Sequence, residues 1–519
     1  MLNFFKFLFF VFLLDHSMVY GQLKLKSPSL QKPADWISPE LLERPACRDF
    51  LKYSTEEMNT TALIVAKAGE AQIELYRQGA DRKTKTKVWS ISKFLTGLML
   101  GAQVRDRSEK MGLLDTPIFG LGFARVAQKE DEVDSNLWKQ VTIRNLWNNS
   151  SGLNWCEYAN CRAVDGASMI YGKGNKDAVS YVLNTPMISE PGALYRYSAG
   201  NFVLLQAVMK RLVGGKDYLN LPYESVLKYL GIPKDDYAFE VDGKGIFMGG
   251  SGLSLSPVAF AKLGQLLLNK GLWDKGTGKT FQVIPKDFFA EMTRNSDPII
   301  NSPPDVQNWE GPTGSSIWLN DDRGGIPPFM PTSPWDMIYA GGNYGQFLLV
   351  YPSSDLVVAR MGGDSPHSQH WKPFSEKAIA CFDPSQLRED IEGEEKVPPE
   401  TGKKLGLGRI AKERIIPNVR AQELCSCLFV SGFPDIETCE KVVPTKQGLF
   451  LHLNSHNVVG KPVVDWENKK VYITRKLPFK KASASGLNTE RPELGCRLLK
   501  PVPNKIVREL RRKNRSSGD

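Results

Sequence analysis

The chain has 519 residues, 41% hydrophobic and 24% charged, a balance that fits a globular protein and excludes a disordered or collagen-like one. Its length allows two or three domains. The formal charge of +10 raises nucleic-acid binding as a first question, but from Arg497 to Asp519 eight Lys and Arg stand against Glu509 and Asp519, so this stretch alone supplies +6. The body carries no basic face, and the nucleic-acid reading falls away.

Met1 to Lys6 carries one positive charge, Phe7 to Leu14 is an apolar run of eight, and Val19-Tyr20-Gly21 offers small residues at a cleavage position. This pattern predicts a secretory signal peptide over residues 1–21 and a secreted or periplasmic protein. The apolar run is too short for a bilayer, and no later stretch approaches the roughly 18 uninterrupted apolar residues of a membrane helix, so no transmembrane segment is expected. Leu63-Ile64-Val65 and Ile73-Glu74-Leu75-Tyr76 are β-type runs around Ala68-Gly69-Glu70, a hairpin pattern. A helix is predicted from Ser90, with Ile91, Phe94, Leu95, Leu98 and Met99 on one apolar face. A second begins at Ser256-Pro257, a capping serine before proline at the first helical position, and continues through Phe260 to Leu268. Strands return at Phe347 to Val350 and Leu356 to Met361.

Strands, then helices, then strands is the order of an α+β domain, taken as residues 22–384. Asp383 to Lys404 shifts to Glu, Pro, Lys and Gly, which argues for a linker, set at 385–414. Short β-type runs at Cys427 to Val430, Leu449 to Leu453, Val463-Val464 and Val471 to Thr474 suggest a small β-rich module over 415–500. Residues 501–519 form the basic tail, expected to be a solvated end, with contact to anionic envelope components as a secondary expectation.

Eight cysteines in an exported chain favour disulfides over metal ligands. Cys156 and Cys161 are close enough to close one short loop. Cys47 and Cys381 bracket the stretch between them, as a bridge between the two ends of one domain would. Cys425, Cys427, Cys439 and Cys496 cluster at the far end. A zinc site is disfavoured because Cys425 and Cys427 have a single residue between them, where two to four are usual. No metal is expected.

Histidine is scarce. His16 leaves with the signal peptide, and His367, His370, His452 and His456 are all late. Gly249-Gly250-Ser251-Gly252-Leu253 lacks the final glycine of a nucleophile elbow, so a Ser-His-Asp triad is poorly supported. His367 and His370 near Asp364 read more simply as surface or capping residues. Ser90-Ile91-Ser92-Lys93 offers another nucleophile: the lysine lies one helical turn beyond the serine, on the same face. A desolvated lysine favours its neutral form and can help take the serine proton. The helix N-terminus adds partial positive charge beside a developing oxyanion. The same spacing recurs at Ser29/Lys32 and Ser225/Lys228, in a polar stretch and an ordinary amphipathic helix respectively.

The text around Ser90 resembles the serine β-lactamase and penicillin-binding protein superfamily, in its class C β-lactamase-like and esterase branch. Trp89 to Lys93 resembles the first motif, Val141 to Leu146 running on to Ser151-Gly152-Leu153 a following landmark, and Leu194 to Phe202 the second motif. Gly249 to Ser254 precedes a helix that the family also has, and the likeness covers about residues 50–380. Ser316 to Asn320 and Tyr339 to Gln346 are similar to signatures of 6-aminohexanoate-dimer (nylon-oligomer) hydrolases and their relatives. The resemblance implies a β-lactamase/transpeptidase-like α+β fold, an antiparallel sheet flanked by terminal helices plus a helical subdomain. Its C-terminal counterpart implies bridges Cys425–Cys496 and Cys427–Cys439.

Carried over by position, Ser90 is the acylated nucleophile, Lys93 its activating partner, and Tyr197 the general acid/base. The oxyanion is implied to sit between the Ser90 N–H and a donor from the Tyr339 to Gly345 stretch, Gly341 or Gly342 foremost, with Tyr339 and Asn343 as neighbouring substrate contacts. Trp155 and Tyr158 correspond to a stretch near the pocket in these relatives, against a plain loop-packing role. Two departures stand out. Ala199 replaces the asparagine of Tyr-x-Asn, and Tyr339-Ala340-Gly341 replaces Lys-Thr-Gly, without the cation that binds a substrate carboxylate. A charge-assisted hydrogen bond of that kind is worth about 1.5 to 3 kcal/mol. The expectation is therefore an exported hydrolase that cleaves an amide or ester in a small-molecule or short-oligomer substrate, without a cofactor. The rival is a silent binding or scaffolding protein of the same fold.

Overall fold

The computed structural model describes residues 36–125, 132–157, 165–274, 279–303, 311–321, 325–364, 370–389, 409–442, 459–475 and 481–517. The signal peptide, Tyr158, Cys161, His367 and the Leu449 to Leu453 run lie outside the described residues, as do His452 and His456.

A seven-stranded antiparallel sheet runs in the order Trp36–Ile37, Glu70–Tyr76, Thr60–Lys67, Leu356–Gly362, Gln346–Tyr351, Ile338–Gly342, Trp318–Leu319. The expected hairpin and the two late strands are its centre. Both faces are covered, so these strands read as apolar runs. Leu63, Val65, Ile73, Phe347, Leu349 and Val358 pack on one face with Phe50 and Phe374, residues of the helices Pro45–Lys52 and Trp371–Phe382. Cys47–Cys381 joins those two helices. Ile64, Leu348, Val350, Val357 and Ala359 face a larger core with the helices Ser92–Asp106, Ala199–Val213 and Pro257–Leu268. The last of these is capped as the sequence predicts, the Ala259 N–H donating to Ser256 Oγ at 3.3 Å.

After the described part of the linker a helix runs Arg409–Cys425, so residues 409–414, read as linker, already belong to it. Cys427 to Val430, read as a strand, continues that helix as the wider turn Ser426–Val430. A four-residue apolar run fits a buried helix as well as a strand, and here Cys425 and Cys427 point into the core. The strands Val459–Asp465, Lys470–Arg475, Lys481–Leu487 and Cys496–Leu498 follow in antiparallel order, with Val502–Pro503 against Lys481–Leu487. Cys425–Cys496 and Cys427–Cys439 are both formed.

The basic tail is not a solvated end. It forms the helix Asn504–Ser517, whose Val507 is fully buried among Val463, Tyr472, Ala482 and Ala484. Leu510 lies one turn on, on the same face, and the cations alternate with these anchors around the helix. Ala421, Leu424, Phe433 and Leu494 belong to the same buried cluster as the body, so the C-terminal segment shares its core. Among the described residues no helix is long and apolar enough to cross a membrane.

Candidate active site

Ser90 stands where a strand becomes a helix. Thr86–Lys87 pairs with Leu253–Leu255, and the Val88 N–H donates to Leu253 O at 2.9 Å. Trp89 then takes a left-handed backbone, φ 53°, and Trp89–Ile91 makes one tight turn before the helix Ser92–Asp106. Ser92 stitches this corner: its Oγ donates to Trp89 O at 2.5 Å and accepts from the Leu253 N–H at 3.0 Å. A non-glycine residue with this φ is uncommon, and here it turns the chain so that Ser90 is half-buried at the start of the helix.

Lys93 is only 2% exposed. Its Nζ donates to Ser90 Oγ at 3.2 Å and to Gly250 O at 2.9 Å, and lies 4.4 Å from the centroid of the Tyr197 ring. Tyr197 precedes the helix Ala199–Val213, capped by Ser198, whose Oγ accepts from the Asn201 N–H at 3.1 Å. The landmark before it braces this entry. Asn149 O accepts from the Arg196 N–H at 2.7 Å, Asn149 Oδ1 accepts from the Ser198 N–H at 3.2 Å, and Ser151 Oγ donates to Asn201 Oδ1 at 2.8 Å. Three stretches widely separated in the sequence thus bring Ser90, Lys93 and Tyr197 together.

Ala199 is fully buried. A Cβ on Gly250 would stand 2.6 Å from the Ala199 Cβ, so the two small residues let the Gly250 loop close on the helix, with its carbonyl on Lys93. That main-chain acceptor was not legible in the sequence.

The strand Ile338–Gly342 runs alongside. Tyr339 and Gly341 face the helix Trp371–Phe382: Tyr339 is 4% exposed and in ring contact with Trp371 and Trp318, and a Cβ on Gly341 would meet the Trp371 ring at 2.0 Å. Gly342 faces the other way, where a Cβ would fall 2.2 Å from Val88 O. Only glycine lets this strand approach the segment that leads into Ser90. Asn343 begins the turn to Gln346, whose Nε2 donates to Asn343 O at 3.2 Å. The next residue, Tyr344, also left-handed at φ 65°, packs edge to face on Trp89 at 5.5 Å. Trp318 lies 5.6 Å from Tyr197, making an aromatic wall.

Trp155 and Tyr339 are both packed among neighbouring side chains. Trp155 is 1% exposed and packs on Gly200, where a Cβ would lie 2.7 Å from its ring. Its indole N–H donates to Glu157 Oε2 at 2.5 Å, which also accepts from the Ala199 N–H at 2.9 Å. It props the second-motif helix. Tyr339 is likewise a core residue, held by the aromatic layer. Tyr158 lies outside the described residues. Cys156 is disulfide-bonded, and Cys161, its expected partner, is also outside. His370 Nδ1 shares a 2.6 Å hydrogen bond with the Tyr53 hydroxyl. Asp364 is committed to Arg360 and the Asn59 N–H. Among the described residues no group of three or more His, Cys, Asp or Glu is placed to hold a metal ion.

A Beta-lactamase family model matches residues 50–365. Among curated proteins no sequence match was found. Similar solved structures include the "Putative 6-aminohexanoate-dimer hydrolase from Bacillus anthracis", 18% identical over 71% of this chain and 90% of its own, TM-score 0.48. "EstCE1, a hydrolase with promiscuous acyltransferase activity" is 15% identical, covering 65% and 98% respectively, TM-score 0.49. A penicillin-binding protein homolog from Caulobacter crescentus is 12% identical, covering 67% and 99%, TM-score 0.47. With the family model spanning the first motif, the second motif and the glycine-rich strand, the chain belongs to the Beta-lactamase family of serine hydrolases.

Proposed function

We propose that this protein is an exported hydrolase that cleaves an amide or ester bond through an acyl-enzyme on Ser90. The carrying observation is the 3.2 Å hydrogen bond between Lys93 Nζ and Ser90 Oγ, made by a lysine buried against Tyr197. In this reading Lys93 and Tyr197 take the proton from Ser90 as Oγ attacks the carbonyl carbon. The tetrahedral oxyanion is held by the Ser90 N–H and a second N–H from Gly341 or Gly342. Tyr197 delivers a proton to the departing amine or alkoxide, and water then releases the acid from Ser90.

The substrate is a small molecule or short oligomer that needs no carboxylate to anchor it. Tyr339, in the position of the family's cation, is buried under Trp371 and Trp318 and offers no charge. The reading is tested on a panel of paired esters and amides with and without a free carboxylate. Turnover that disappears in Ser90→Ala, with no preference for the carboxylate member of each pair, supports it. Equal turnover by wild type and Ser90→Ala defeats it. Export is tested by N-terminal sequencing of the secreted product, expected to start near Gln22.

A further inference from the structure

Close behind Ser90 lies a buried ionic cluster that the reaction itself does not use. Lys87, 7% exposed, donates to Glu240 Oε2 at 3.0 Å and to Glu423 Oε1 at 2.9 Å. Glu423 Oε1 also accepts from the Tyr171 hydroxyl at 2.7 Å, and Glu240 accepts from Ser426 Oγ at 3.0 Å and Gln422 Nε2 at 3.1 Å. The cluster thus joins the strand Thr86–Lys87, the helix Asp165–Tyr171 and the helix Arg409–Cys425, with Glu423 arriving from 336 positions away in sequence.

Two features link the cluster to the reaction centre. Lys87 Nζ lies 4.6 Å from the centroid of the Trp89 ring, so the lysine presses on the residue whose left-handed backbone turns Ser90 into the site. A conformation of that kind persists only where its surroundings over-determine it. Trp89 is also in ring contact with Tyr344, two residues beyond the strand that carries Gly341 and Gly342. The second feature is chemical. Buried charges are a poor way merely to dock one segment on another, because desolvation opposes the Coulombic gain, whereas they fix direction well. Apolar contacts through Ala421, Leu424 and Phe433 already join the C-terminal segment to the body.

We propose that Glu423 is a positioning residue for the reaction at Ser90: it fixes Lys87 against Trp89 and thereby holds the turn that presents the nucleophile. The C-terminal segment is then a working part of the active site. The proposal rests on the reading of Ser90 as nucleophile. Glu423 touches no reacting atom and acts through Lys87.

The test uses full-length wild type, Glu423→Ala, Glu423→Gln and Ser90→Ala, labelled with a fluorophosphonate under pseudo-first-order conditions. Glu423→Ala should lower the limiting labelling rate constant by about tenfold or more, in line with the cost of small misplacements remote from the chemistry. The labelled fraction of folded protein and the half-saturating probe concentration should not change. Should Glu423→Ala fail to fold, Glu423→Gln keeps the shape and an acceptor for Tyr171 while losing the charge, and should slow labelling by about threefold. A variant that labels at the wild-type rate constant per folded molecule, even with lowered thermal stability, overturns the proposal and reduces the cluster to docking. Wild type that does not label, or Ser90→Ala that labels equally, would defeat the reading of Ser90 instead.

Discussion

Gly342 and Val88 set the tolerance of the site. Because a Cβ on Gly342 would come within 2.2 Å of Val88 O, Gly342→Ala must push the glycine-rich strand away from the Ser90 turn. The expected result is a fall in kcat of about a hundredfold, in line with loss of one oxyanion donor, and about 1–3 kcal/mol of lost stability by denaturant titration. Tyr197→Phe and Lys93→Met should lower kcat with the fold retained, since each removes a group to which the proposed mechanism assigns proton transfer, and general acid–base steps typically contribute about 10²–10⁴-fold. Unchanged kcat in either would remove that residue from the mechanism. That Ser90, Lys93 and Tyr197 come together was legible because their motif text is local. Between pocket lining and loop packing the sequence leaves Trp155 open, because its burial is decided by Gly200 and Glu157, and no run of letters shows which side of a loop a ring will face.

Among the elements, the helix Ala199–Val213 carries the site's second wall, and its first N–H ends on Glu157. A carboxylate there satisfies a donor the helix leaves open and complements its dipole. Glu157→Gln should cost about 1 kcal/mol, and Glu157→Ala about 1–3 kcal/mol through the stranded Ala199 and Trp155 N–H groups, read by urea denaturation. No loss in Glu157→Ala would show that the contact is not structural. Central strands and long helices were readable from apolar patterning, since their burial is continuous. The short run Cys427 to Val430 was not, because length is what separates a strand from a helical turn there, and its packing comes from the rest of the C-terminal segment. The left-handed residues Trp89 and Tyr344 carry no turn-forming letter at all; tertiary contact holds them.

Across the whole molecule, one cation shared by two buried carboxylates leaves an excess of negative charge. Burial pushes the Glu240 carboxyl above its ordinary 4.5, against the pull of Lys87. A carboxyl raised in the folded state contributes stability below its unfolded value and loses it as pH rises through the folded value. Glu240→Gln, uncharged throughout, should therefore be at least as stable as wild type at neutral pH, with its relative advantage shrinking as pH falls toward about 4.5. Thermal melts across that range check this, and an advantage that grows in acid would contradict it. The shared core predicts that a chain ending after residue 389 exposes the apolar contacts of Leu424 and Phe433 and fails to give a soluble, cooperatively melting body. The composition shift from Asp383 to Lys404 predicts a linker before a small β-rich module, but composition says nothing of the faces that Tyr171 and Glu240 offer the returning helix.

Acylation of Ser90 is the step on which the proposed chemistry depends. Full-length protein treated with a fluorophosphonate, digested and mapped by mass spectrometry, should carry one adduct, on the peptide containing Ser90, and none in Ser90→Ala. Absence of any adduct on Ser90 in the wild type, or an adduct that persists in Ser90→Ala, would contradict the account.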